Sequence, residues 1–157
     1  MIRPRRRLVS LPLAVLLLLS LSTQTPSAGL ISGLLGVVTR TVNGVLGAVL
    51  NNGMWTAQVP AGAFTGSATI TLSVPGSNPK TCQLDILPLS KNGFSRPVVL
   101  TAKIGSSVTS DMRIECYDPG SQTWVPVPGS IVDLSKGTVS APLSHFSLYR
   151  VGGRSGW

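Results

Sequence analysis

The chain contains one histidine, His145, and it stands two residues before Ser147 in "SHFSLYRV" (144–151). An imidazole near neutral pH can act as a general base, so a histidine close to a serine is the first place to look for nucleophilic chemistry. A Ser-His-Asp triad could be completed with any of the four aspartates, but no spacing selects one. Ser77 and Lys80 match the Ser-x-x-Lys pattern of acyl-enzyme hydrolases. That chemistry needs the serine to open a helix with the lysine one turn later, whereas Pro79 sits in a polar turn, so the match is accidental. Cys82 and Cys116 are the only cysteines. One histidine and no clustered carboxylates cannot complete a metal site, so neither metal nor cofactor is expected.

The elements that would position these residues follow from length and patterning. A chain of 157 residues suffices for one domain with a real core. Arg3, Arg5, Arg6 and Arg7 precede an apolar run from Leu8 to Leu21, and small residues follow at Ser22, Ser27 and Ala28. This order reads as a secretory signal peptide over 1–28, cut after residue 22 or residue 28. The run is shorter than the ~20 apolar residues of a membrane-crossing helix and contains Pro12. The expected location is therefore secreted or cell-envelope. Four of the 13 basic residues lie in the segment, which leaves nine against five acids, a net charge of about +4. These nine are scattered, without the concentrated patch of a nucleic-acid binder, so nucleic acid is excluded as a partner.

From 29 to 50 the sequence is "GLISGLLGVVTRTVNGVLGAVL", with one charge. Gly33, Gly36, Arg40, Gly44 and Gly47 step by 3, 4, 4 and 3 and would share one helical stripe. Small residues in such a stripe let helices approach closely, which predicts a helix that attaches the protein to a membrane or to itself. Five glycines each weaken an isolated helix in water by about 1 kcal/mol, which predicts instead a short helix or loose leader. Both readings treat 29–53 as a segment ahead of the domain.

Beyond "NNG" (51–53) the period is two. Ala68, Ile70, Leu72 and Val74 form one phase of "SATITLSV", and Cys82, Leu84 and Ile86 form one phase of "CQLDIL". Val98, Leu100, Ala102 and Ile104 do the same in "PVVLTAKI", as do Met112, Ile114 and Cys116 in "MRIECY". Turn pairs such as Pro75-Gly76, Asn92-Gly93 and Pro128-Gly129 separate the runs. Further strands are expected at 54–59, 123–127, 138–142 and 146–151. About eight short strands without a helical window between them predict an all-β fold, an antiparallel β-sandwich over 54–151, with 152–157 as a flexible tail. Trp55 and Trp124 are expected in its core. Both cysteines fall on the apolar phase, and in an oxidising compartment an isolated pair predicts a Cys82–Cys116 disulfide. Loop entropy over the 33 intervening residues would make it worth about 3 to 4 kcal/mol.

"VPAGAF" (59–64), "NGFSRPVVLTAKI" (92–104) and "YDPGSQTWVPVPGSIVDLSKGTVSAPLSHFSLYRV" (117–151) together resemble the ZU-five domain, and particularly its bacterial extracellular relatives. That domain is named for zonula occludens proteins, Unc-five netrin receptors and ankyrins. The resemblance covers roughly 54–151 and implies a β-sandwich. Some ZU-five domains cleave themselves between Phe and Ser of a His-Phe-Ser tripeptide. Carried over, this implies Ser147 as nucleophile on the Phe146 carbonyl and His145 as its base, through an ester that water hydrolyses. In those relatives a further domain follows the cut; here only ten residues follow Ser147. The expected function is therefore a non-catalytic exported module that binds a protein or envelope partner. The alternatives are self-cleavage at Phe146–Ser147 and membrane attachment through 29–50.

Overall fold

The computed structural model describes residues 36–153. The expected signal peptide, Gly33 and residues 154–157 lie outside the described residues. Eleven strands follow one another in the described part: β1 (Val37–Asn43), β2 (Ala48–Asn52), β3 (Trp55–Val59), β4 (Ser67–Ser73), β5 (Thr81–Leu87) and β6 (Val98–Lys103), then β7 (Arg113–Asp118), β8 (Thr123–Pro126), β9 (Ile131–Asp133), β10 (Thr138–Leu143) and β11 (Leu148–Gly152). They form two antiparallel sheets, ordered β1-β4-β5-β11-β7-β8 and β2-β3-β6-β10-β9.

The alternation explains the packing. In β4 and β5 the apolar phase, Ile70, Leu72, Cys82, Leu84 and Ile86, is buried, while Thr69, Thr71, Gln83 and Asp85 stand on the other face. Opposite them, Ala57 of β3, Leu100 and Ala102 of β6, and Val139, Ala141 and Leu143 of β10 complete one apolar layer between the sheets. Trp55 lies fully within it. Its indole Nε1 donates to the Pro79 carbonyl at 2.9 Å, so the polar end of the ring is satisfied.

The sandwich starts earlier than the sequence predicts. Residues 37–52, expected as part of a helix or leader, form β1 and β2, one in each sheet. Gly36, Arg40, Gly44 and Gly47 therefore share no helical stripe, and residues 36–50 do not form the expected membrane-attaching helix. Gly44 is needed because the β1–β2 turn passes against Phe64, whose carbonyl a Cβ would strike. Gly47 has φ +73°, where glycine alone is unstrained. Arg40 reaches across the edge and its Nη1 donates to the Val49 carbonyl at 3.1 Å, tying β1 to β2. Buried Asn52 joins the sheets again, its Nδ2 donating to the carbonyls of Gly36 (2.8 Å) and Leu72 (2.9 Å). Among the described residues no helix is long and apolar enough to cross a membrane.

Two smaller expectations also change. Gly152, assigned to the tail, ends β11. Trp124, expected in the core, lies on the outer face of its sheet beside Tyr117, ring centroids 5.4 Å apart. The Arg150 guanidinium covers it at 4.5 Å from its centroid. The same guanidinium meets Glu115, with Nε and Nη2 each 2.8 Å from Oε2, while Arg113 Nε lies 3.0 Å from Oε1. Glu115 is buried in a slot that Gly152 leaves open, because a Cβ there would overlap the carboxylate. Two cations compensate its desolvation.

Candidate functional site

His145, Phe146 and Ser147 do not sit on the last strand. They form the corner between β10 and β11, which begins at Leu148. Within β11 the inward phase is Tyr149 and Val151, and Leu148 and Arg150 face outward. Phe146 is nonetheless buried, because the corner folds it under the sandwich end, where it meets Phe94 edge-on with centroids 4.7 Å apart.

Hydrogen bonds hold the backbone of this corner at nearly every residue. The Ser144 carbonyl accepts from the Phe94 amide at 3.1 Å, and the Ser147 carbonyl accepts from the Leu84 amide at 3.0 Å. The Tyr149 hydroxyl donates to the His145 carbonyl at 2.6 Å. Burial, and after it the neighbouring Cys116 and Cys82 thiols, push the Tyr149 phenol well above its usual range, so it remains an O–H donor at every pH a protein meets. Asn92 supplies the remaining two bonds. Its Oδ1 accepts from the Phe146 amide at 2.6 Å and its Nδ2 donates to the Phe146 carbonyl at 3.1 Å, so one carboxamide clamps both polar groups of one residue. In the sequence Asn92 is legible only as half of an Asn-Gly turn; its partner is 54 residues away.

The catalytic geometry implied by the ZU-five resemblance is incomplete at this corner. The exposed His145 ring has its Nδ1 3.2 Å from the Ser144 hydroxyl. Among the described residues no hydrogen bond joins that ring to Ser147. A hydrogen-bond donor on the Phe146 carbonyl is in place, the Asn92 Nδ2.

His145 and Ser147 also line a cleft of about 750 Å³ at the open side of the sandwich. β7 and β8 form one wall with Cys116, Val125 and Val127, and Pro142 and Leu143 at the end of β10 form the other. Pro126 and Pro128 stiffen its rim. Val125, on the inner phase opposite Cys116, is 46% exposed, because β9 ends the facing sheet before it reaches β8. Asp118 is the charged member of the lining, and hydrogen bonds from Ser121 and then from Gly120 hold its carboxyl below the usual carboxylate range.

The expected Cys82–Cys116 disulfide is absent, and the register gives the reason. Both cysteines are free, and both stand opposite Tyr149, one on each side of β11. Two strand spacings put their Cα atoms about 10 Å apart, beyond the ~7 Å a disulfide tolerates. Each cysteine stands on the inner-face phase of its strand, opposite inward-facing Tyr149. Burial pushes the Cys82 thiol far up, while half-buried Cys116 faces the cleft.

No protein-family model and no curated protein matches the chain. Among the described residues no group of three or more His, Cys, Asp or Glu side chains could hold a metal ion.

Proposed function

We propose that this chain is an exported, non-catalytic β-sandwich module of ZU-five type that binds a protein partner, taking an extended apolar segment of it into the cleft beside β8. The observation that carries the reading is the cleft: about 750 Å³, walled by valines, leucine and prolines, and open along an edge strand. Binding sites of this size are chiefly apolar with a few polar groups, here the His145 imidazole and the Ser147 hydroxyl. Among the described residues β8 pairs only with β7, which leaves its other edge open to an added strand, and exposed Val125 offers a side-chain contact beside it. The His-Phe-Ser corner then serves as a rigid end wall, held by Asn92 and Tyr149.

A photo-crosslinking residue at Val125, compared with one at Thr71 on the outer face of β4, tests the reading in the producing cell. A discrete protein adduct from position 125 and none from position 71 is expected. Equal labelling from both, or none from position 125, refutes it.

Self-cleavage is the second reading, favoured by the Asn92 Nδ2 donor on the Phe146 carbonyl, the oxygen on which charge would grow. The Ser147 Oγ would form an ester with the Phe146 carbon as the peptide C–N bond breaks and the amine takes the proton; water would then release the fragment. Denaturing mass spectrometry of the exported protein separates the two, and reports signal removal after residue 22 or 28 together. An intact chain supports the binding module, whereas an eleven-residue fragment, "SLYRVGGRSGW", establishes cleavage.

A further inference from the structure

The two sheets end in the edge strands β1 and β8, and β2 and β9. Three of these edges are guarded against a further strand: β8 carries Pro126, β9 has three residues, and the Val49 carbonyl of β2 is taken by Arg40. β1 differs. It runs seven residues against β4 without a break in register, holds no proline, and is β-branched at Val37, Val38, Thr39, Thr41 and Val42. Its one charged side chain, Arg40, is turned toward β2. Among the described residues β4 is the strand it pairs with, and no other lies on its far edge.

Which backbone groups this edge offers follows from the bonds at the two ends of the strand. The Val74 amide donates to the Gly36 carbonyl at 2.7 Å, and the Gly44 amide donates to the Gly66 carbonyl at 2.8 Å, so the ladder to β4 runs through the even-numbered residues. The N–H and C=O groups of Val37, Thr39 and Thr41 therefore point away from the sheet. Asn43 shares their direction, but its carbonyl already accepts from the Leu46 and Gly47 amides at 3.1 and 2.9 Å. An antiparallel copy of β1 presents the same open groups, and charge and hydrogen bonding select one register for it. Two-fold pairing centred on Arg40 sets two guanidinium side chains on directly opposed residues, a like-charge conflict. Centred on Thr41, it needs the occupied Asn43 carbonyl. Centred on Thr39, it pairs Thr39 with its own copy and Val37 with Thr41, uses every open group of these residues, and places Arg40 opposite Val38. On the outer face the Thr39 hydroxyl already lies 3.1 Å from that of Thr71, so a row of threonines would continue across the joint.

We propose that β1 joins two copies of this chain antiparallel about a two-fold axis through Thr39, making one continuous sheet across the dimer. A second copy meets both requirements at once: it brings the matching open groups, and the register keeps the two Arg40 side chains apart. The joint lies at the edge of the six-stranded sheet opposite β8 and does not depend on the role of the cleft. Both β8 edges stay at the outer ends, so the dimer presents two clefts. One strand pair buries little side-chain surface, which sets the expected dissociation constant between about 1 μM and 1 mM.

The test uses the protein as purified from the producing cell. Sedimentation equilibrium should show a reversible dimer in that range. Thr39→Pro removes an amide that bonds nothing in β4, at the kind of edge position where proline is tolerated, so it should weaken the dimer at least about tenfold while the amide signals of β4 and β5 stay in place. In a Cys116→Ser background and with an added oxidant, Thr39→Cys should give a disulfide-linked dimer, since facing Cα atoms in such a pair lie about 5.5 Å apart. Thr41→Cys should not, because its two copies are about four residues, or ~14 Å, out of register. Thr71 lies one strand in from the joint, about 10 Å from the nearest residue of the second copy, beyond a short photo-crosslinking side chain. The proposal is overturned if the chain is monomeric at about 1 mM, if Thr39→Pro dimerises unchanged, or if positions 39 and 41 crosslink alike. Protection of the Thr39 amide from exchange in monomeric protein, which a strand of the same chain laid on β1 would give, overturns it too, as does a dimer that crosslinks through Val125.

Discussion

Replacing Asn92 with alanine tests the account of the His-Phe-Ser corner most directly. The side chain makes two bonds, accepting from the Phe146 amide at 2.6 Å and donating to its carbonyl at 3.1 Å, both in partly buried surroundings. Truncation leaves one donor and one acceptor without their partner while Phe146 stays packed on Phe94. An unsatisfied buried polar group costs about 1 to 3 kcal/mol, and partial access to water favours the lower half of that range. The expected loss is about 2 to 4 kcal/mol, or about 8 to 16 °C in Tm for a domain of this size. Urea unfolding of the purified protein measures it, with the m-value unchanged because the surface exposed on unfolding is the same. Hydrogen exchange at the Phe146 amide should also accelerate. A loss under about 0.5 kcal/mol would mean that Phe146 packing and the Tyr149, Phe94 and Leu84 hydrogen bonds hold the corner without Asn92, and the clamp would be refuted.

Phe146→Ala should cost about 3 to 5 kcal/mol, since it empties a buried site beside Phe94 that the rigid corner cannot collapse to fill, while Ser147→Ala should be nearly silent in the same urea assay. In native protein a small alkylating reagent should label Cys116 and spare Cys82, whose thiol is buried and held protonated, and both should react after denaturation. A peptide map joining Cys82 to Cys116 would contradict the placing of β11 between their strands.

What the sequence determined was what repeats locally. Period-two alternation at 67–74, 82–87, 98–104 and 112–117 located β4, β5, β6 and β7 and assigned Ile70, Leu100 and Ile114 to the core, because strand side chains must alternate whichever strands they pair with. Glycine spacing at 33–47 matched a helix equally well, since glycine permits many conformations and specifies none. Only pairing of β1 with β4 and of β2 with β3 resolved residues 37–52 into strands. The same division runs through the candidate site. The inward phase of Cys82 and Cys116 was legible, but the strand between them was not, because strand order depends on contacts distant in sequence. Trp124 faced outward for a related reason: β8 is short and lies beyond the facing sheet, so no local pattern separates its two phases. Asn92 and Phe146 meet only once the chain has closed, and a hydrogen bond across that separation leaves no periodic trace. Tertiary structure alone therefore decided which residues hold the His-Phe-Ser corner and which side of the sandwich stays open.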